Sequence, residues 1–392
     1  MRVGWSEVLA RRLARHGLIR PFVGGTLTAV EEAVSAMVGA HAQIMSAAEM
    51  SIGLRVEKAT RTWVQEALSA GGSLVKTVGP RGTVHLLPAS ELGMWLGALS
   101  ALPEHSGLPE GVRLSPEQTD EVVAAIADAL EHSEGSPPVA LTTDELGAEV
   151  MARLGSWAGE LTVPGFNGFW ARWRQAIAPA AYRGALCFGQ NRGTKVSYTR
   201  PPAFATVPDA EALLLRAYLH SYGPATQADY ARWLATPLSR VGPVFERAKL
   251  ERVEVADAGS ADSVAWVNAG DTEFPAEAGS GIRLLPYFDP YVVGSQPRGK
   301  LFPGPAFDRA LARGQAGNFP VMLLDGVVAG VWHQRRSGSR RGVPRIAVTV
   351  EPLVKLTKRH RAALEKQAQR LGEILEGDAE LSIGMVPVGP HA

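Results

Sequence analysis

The sequence predicts an α+β chain built from three tandem winged helix-turn-helix units and a β-rich C-terminal unit, and three observations carry that prediction. Helical stripes opened by capping signatures recur at a spacing of about 100 residues. Each group of helices is followed by a pair of short β-like runs. Beyond residue 280 the pattern changes to short apolar runs punctuated by Gly and Pro.

Residues 1–100 form the first predicted unit. Thr28 with Glu31 caps one helix, Ser46 with Glu49 a second, and Thr60 opens a third running through Trp63 and Leu68. SLVKTVGPRGTVHLLP then supplies two strands around Gly79 and Pro80, a wing-like pair. Between the first two helices lies GAHAQIMSAAEM, residues 39–50, with His41 and Gln43 two apart among small and apolar neighbours. On a helix these side chains point about 200° apart, whereas an extended link projects both from one side, toward one ligand.

Residues 101–205 form the second unit. SPEQTDEVVAAIADALEH and LTTDELGAEVMARLG read as helices, the latter opened by a Thr142–Glu145 capping box, and Phe169 to Ile177 continues the helix count. ALCFGQNRGTKVSYTR reads as a hairpin with Arg192 and Lys195 at its tip. The third unit, 206–275, is the clearest. Leu213, Leu214, Ala217 and Tyr218 form a helical stripe, Gly223–Pro224 ends it, and Thr226 with Asp229 opens the next helix. Another helix follows Pro237, and strands at 250–255 and 263–268 pair as a hairpin. The C-terminal unit, 276–392, holds RLLPYFDPYVVG, VMLLDGVVAGVW and RIAVTV, then an amphipathic helix from Thr357 to about Leu375 and the tail LSIGMVPV. Trp63, Trp95, Trp170 and Trp173 fall at helical spacing and read as core residues, not base-stacking platforms.

Composition narrows the function. A chain of 392 residues, 46% apolar, builds several ordinary cores. It has no apolar run of membrane-spanning length and no signal-peptide core, so a soluble cytoplasmic protein without membrane contact is expected. Cys187 is the single cysteine, which precludes an intrachain disulfide and a cysteine-rich metal site. The phosphate-binding loop, dinucleotide fingerprint, nucleophile elbow and H-E-x-x-H motif are all absent, and no metal or cofactor is expected. The net charge of +1 hides a segregation. Eleven acidic residues face Arg113 alone between Glu104 and Val150, while ten Lys or Arg stand against three Asp between Gly281 and Arg345. Within the basic stretch, Arg335, Arg336, Arg340 and Arg341 bracket Ser-Gly-Ser between two β-like runs, predicting a hairpin turned at that tripeptide. Planar, permanently charged guanidinium groups there suit phosphate contact or groove insertion, the alternative being a solvated loop.

RGTVHLLP at 81–88, LRAYLHSYGPATQADYARWL at 215–234, LLPYFDPYVVG at 284–294 and LLDGVVAGVW at 323–332 together resemble the bacterial winged-helix family of AlkZ-like DNA glycosylases, in order along nearly the whole chain. The resemblance implies tandem winged helices forming a C-shape around a basic concave surface, with duplex DNA carrying alkylguanine lesions as partner and hence a place at the bacterial nucleoid; a monomer is the default expectation. The family's catalytic signature is Gln, an apolar residue, then Gln or Asp. GAHAQ occupies that place, so Gln43 matches the second position while His41 departs from the commoner first Gln and matches a His-x-Gln subgroup associated with self-resistance to natural products that leave bulky guanine adducts. On this reading His41 and Gln43 are catalytic, and Arg335, Arg336, Arg340, Arg341, Arg192 and Lys195 bind DNA. Arg81, His85 and Asp289 form a second tier: the first two as DNA contacts or anchors of their wing, the last as a stabiliser of charge near the sugar or a turn residue.

The implied chemistry suits such modest side chains. An N7-alkylated guanine is already cationic and departs readily, so the task is to hold a water below C1′ and steady an oxocarbenium-like sugar. A Gln carbonyl does this by hydrogen bonding and a His as general base. No lysine is implicated, so the expected enzyme is monofunctional and leaves an abasic site. Two other functions fit a chain of winged helices: a non-catalytic transcriptional regulator, which binds undamaged DNA by sequence, and a protein that sequesters the free drug.

Overall fold

The computed structural model describes residues 1–69, 71–103, 107–131, 138–165, 168–256, 263–275, 281–340 and 342–387. The chain is a mixed α+β structure whose contacts divide it into two units, Met1–Ser73 with Leu215–Ala392, and Leu74–Leu214. The division cuts across the consecutive segments read from the sequence, because the strand pair at 74–88 falls in the second unit.

The first unit is organised by a five-stranded sheet of Ile282–Leu285, Val321–Leu324, Val327–Arg340, Val343–Pro352 and Asp378–Ile383, in that order. Neighbours are antiparallel except the last pair, which is parallel and connected through the helix Lys358–Ile374. That helix begins where expected, with Thr357 as its N-cap, and Leu364, Ala368, Leu371 and Ile374 pack with Leu284, Trp332, Val348 and Val350 to bury one sheet face. The opposite face is covered in part by Leu9 and Leu13 of the N-terminal helix Trp5–Arg15, packed with Leu323, Val328 and Val331.

The same unit contains the clearest sequence segment. Thr226 and Asp229 form the expected capping box at the start of Gln227–Leu234, and the helix Leu238–Arg247 leads into the antiparallel pair Leu250–Ala256 and Ser263–Asn268. An unforeseen third strand, Arg2–Gly4, adds parallel to this pair. Tyr218, Tyr230 and Trp233 pack with ring centroids 5.0 to 5.8 Å apart.

In the second unit, Val122, Ile126, Leu146, Val150, Trp173 and Ala180 form the core between the helices Pro116–Ala129, Thr143–Leu154 and Ile177–Tyr182. Ser115 and Thr142 open the first two with capping boxes. Leu74–Val78 pairs antiparallel with Val84–Pro88, and Cys187–Phe188 with Ser197–Thr199, as the sequence predicted. The segment 169–177 differs from expectation. It leaves a strand, Gly168–Ala171, paired with Leu161–Gly165, then passes through a 3-10 turn before the helix. Gly168 at φ 114° adopts a conformation costly for any other residue, and a Cβ at Gly165 would lie 2.5 Å from the Trp170 ring. Trp170 is accordingly a half-buried strand residue under Arg174, and Trp63 is half-buried, while Trp95 and Trp173 are core residues as expected.

Two capping assignments also shift. The helix Thr26–Ala36 starts after Gly25 and not at Thr28, and Met45–Gly53 starts after Ile44, with Ser46 inside it. Glu49 is buried instead, accepting a hydrogen bond from Gln65 at 3.1 Å with Arg61 3.3 Å away, and burial raises its pKa. Tertiary packing, not the local Ser–Glu pair, sets this helix start.

Candidate active site and nucleic-acid interface

The helix Thr26–Ala36 ends in a Schellman-type turn, with Gly39 N–H donating to the Val34 carbonyl at 3.0 Å and Val38 N–H to Ser35 at 2.9 Å. Gly39, at φ 86°, reverses the chain and releases it into the extended pair Ala40–His41. A bend at Gln43 and Ile44 precedes the helix Met45–Gly53. His41 and Gln43 therefore both lie outside helix, His41 in the extended pair and Gln43 at the bend that follows it. Gln43 is exposed, whereas His41 is only 8% exposed, its imidazole stacked on the half-buried Phe288 ring with centroids 4.5 Å apart and planes 25° apart.

The link is fastened to the chain around Phe288 from both ends. Upstream, the Tyr222 hydroxyl lies 2.9 Å from the Met37 carbonyl oxygen and 3.1 Å from that of Pro290. Downstream, Ser51 and Arg55 of the helix Met45–Gly53 and its C-terminal turn hold Asp289. Ser51 Oγ donates at 2.8 Å, and the Arg55 guanidinium donates from two nitrogens at 2.8 and 2.9 Å. The remaining carboxylate capacity takes the Tyr291 backbone N–H at 3.0 Å, capping the short helix Pro290–Gly294. Arg55 and Asp289 are both 0% exposed, so their fork-to-fork geometry offsets the desolvation of two charges. Arg370 secures the far end of the Met45–Gly53 helix through the carbonyls of Gly53, Val56 and Ala59 at 2.8 to 3.0 Å.

The other candidates separate by environment. Arg335 and Arg336 are exposed on Val327–Arg340 and, among the described residues, make no ion pair. Arg336 borders a shallow concavity with Ser337, Gly338, Ser339, Gly342 and Pro344. The Ser-Gly-Ser tripeptide is not the turn that the sequence predicted. It forms an irregularity within the strand, the ladder resuming at Ser339 and Arg340, so the hairpin is longer than its glycine pattern suggested. Arg341 and the Arg340 side chain lie outside the described residues. Arg192 and Lys195 face each other across their hairpin as expected, but each is spent on an acid: Arg192 pairs with Glu145, and Lys195 with Asp144 at 3.0 Å.

The second tier is structural where its geometry is clear. His85 is 3% exposed with Nδ1 2.9 Å from its own hairpin's Thr83 carbonyl oxygen, so the ring is buried against the turn of its own wing. Arg81 is half-buried at φ 63° in the turn between the same strands. Asp289, fully buried and saturated, has no face to offer a sugar. Phe288, Ser51, Arg55 and Tyr222 were not singled out from the sequence. The available signal was the lone Arg in the apolar run SIGLRV and the FDPY tetrapeptide, each ambiguous without its partner.

A family model for DNA glycosylase AlkZ-like proteins matches residues 34–374, a span containing the link, its clamp and the arginine hairpin. The chain belongs to the AlkZ-like DNA glycosylase family. It is 32% identical over 348 residues to an interstrand DNA cross-link repair glycosylase of Streptomyces sahachiroi, covering 85% of this chain and 88% of that one. Its fold is similar to that of Streptomyces sahachiroi DNA glycosylase AlkZ, with a TM-score of 0.79 and 28% identity, covering 98% of this chain and all of the other. The protein is accordingly a DNA glycosylase, which decides against the regulator and the drug-sequestering readings. No helix among the described residues is long and apolar enough to cross a membrane.

Proposed function

We propose that this glycosylase hydrolyses the N-glycosidic bond of N7-alkylated guanine in duplex DNA, including bulky natural-product adducts, with His41 and Gln43 as the catalytic pair. The supporting observation is the extended link itself: an imidazole braced by an aromatic ring, and an exposed carboxamide two residues further on. His41 acts as general base toward a water placed below C1′, and the Gln43 carbonyl orients that water and steadies positive charge developing on the sugar. The departing base, already cationic, requires no acid. With no lysine in the link, hydrolysis leaves an abasic site without a covalent enzyme–DNA intermediate.

Arg335 and Arg336 of the long hairpin supply phosphate contacts, since they carry charge not neutralised by neighbouring acids. The three helix-and-hairpin groups act as winged helices that hold the duplex. The cross-link repair in the name of the Streptomyces sahachiroi relative supports a role in repair, and bulky adducts as substrates fit a part in self-resistance. Incubating the protein with a duplex containing one site-specific N7-alkylguanine, followed by alkali, should yield strand cleavage at the lesion. Intact strands across small and bulky adducts alike would refute the assignment.

A further inference from the structure

Phe288 sits where the backbone is strained and its neighbours are close. Its φ of 53° is in the left-handed region, unfavourable for a bulky side chain. Its N–H donates to the Gly317 carbonyl at 2.9 Å, and a Cβ on Gly317 would lie 2.9 Å from Phe288 Cδ1 and from Val293 Cγ2. The next residue is Asp289, locked by Arg55 and Ser51, and after it comes Pro290, whose carbonyl approaches Tyr222. Ser51 lies in the helix that directly follows Gln43, and Arg55 just beyond it, while Tyr222 also approaches Met37, just before the link. Two tethers thus bracket one ring stack, that of Phe288 on His41. A strained conformation held by a buried ion pair and a buried hydroxyl is costly to maintain, and what it fixes is the plane against which the imidazole lies.

We propose that Phe288 is the positioning residue for His41: the ring sets the orientation of the imidazole toward the water, and the Tyr222 and Ser51–Arg55–Asp289 tethers set the ring. This rests on the catalytic reading of His41 given above. The ring touches no reacting atom. Its contribution is orientation, and displacing a catalytic group by about 1 Å costs on the order of 100-fold in rate.

The test is single-turnover base release from a duplex bearing one N7-alkylguanine, with DNA affinity measured in parallel. Phe288→Ala should slow release by about 10- to 100-fold with DNA affinity within about twofold of wild type, and Phe288→Tyr, which retains the stacking face, should restore the rate. Phe288→Leu fills the same space without an aromatic face. It should keep the fold and lose rate, which guards against Phe288→Ala failing to fold. In a double-mutant cycle, adding Phe288→Ala to His41→Ala should cost nothing further. If His41→Ala is slow but Phe288→Ala and Phe288→Leu are as fast as wild type, or if the two losses multiply in the double variant, positioning by Phe288 is overturned and the catalytic assignment stands. A His41→Ala protein with wild-type rate overturns both.

Discussion

Removing the carboxylate of Asp289 should be among the most damaging single changes in the first unit. In Asp289→Ala the Arg55 guanidinium, 0% exposed, loses both of its carboxylate contacts and keeps the Ser51 carbonyl at 2.8 Å, leaving one uncompensated buried charge. Breaking one side of a buried ion pair costs about 3–5 kcal/mol, to which loss of the Asp289 cap on Pro290–Gly294 adds about 1 kcal/mol. At ~2–4 °C per kcal/mol for a unit of this size, melting should fall by about 15 °C. Replacing both partners, as in Arg55→Met with Asp289→Leu, exchanges the pair for apolar groups of similar volume and should recover most of that loss. Urea unfolding followed by far-UV circular dichroism, with hydrogen exchange of the Met45–Gly53 amides, measures both variants. A loss under about 1 kcal/mol in Asp289→Ala, or a double variant as unstable as the single one, would refute the assignment of the pair as a strongly coupled tether.

Other perturbations report on other parts of the structure. His16 is fully buried between the rings of Tyr222 and Tyr291, at centroid distances of 4.8 and 5.5 Å, and burial together with Arg55 and Arg12 holds its pKa well below the ordinary value. The unfolded chain therefore binds the extra proton: this stabilisation is present above about pH 6.5 and is lost as pH falls, at ~1.4 kcal/mol per pH unit, so His16→Phe should flatten the acid limb of stability and an unchanged slope contradicts it. Cys187 is 4% exposed and burial pushes its thiol up to about 12, so iodoacetamide at pH 8 should label the protein only after denaturation; labelling of the native protein at the rate of a free thiol contradicts this. Arg335→Ala with Arg336→Ala should reduce the slope of log affinity against log salt by about 2 in duplex binding, and an identical slope would remove this hairpin from the interface.

The parts of this molecule written in local chemistry were legible from the chain. Thr226–Asp229 and Thr142–Glu145 cap helices where their side chains predict, because capping is settled within four residues. That His41 and Gln43 stand in a link between two helices was legible too, whereas the burial of one and the exposure of the other were not. What escaped depends on partners far apart in sequence. Ser46 and Glu49 carry a capping signature, yet packing buries Glu49 against Gln65 and Arg61, and the helix starts elsewhere. Arg192 and Lys195 stand at their hairpin tip as the sequence indicates, but their exposed partners Glu145 and Asp144 come from the distant helix Thr143–Leu154. Asp289 reads locally as a turn residue or a charge stabiliser, but its role is set by Arg55, 234 residues away in sequence, and the stacking of Phe288 on His41 has no local trace at all.

The central claim is that His41 and Gln43 together direct one water at the sugar carbon of a cationic guanine nucleotide. Its most direct measurement is the single-turnover rate of base release by His41→Ala and Gln43→Ala, with duplex affinity determined on the same samples. Each variant should be slower than the parent by about 100-fold or more while binding the damaged duplex as tightly. Either variant releasing the base at the parental rate would contradict the account.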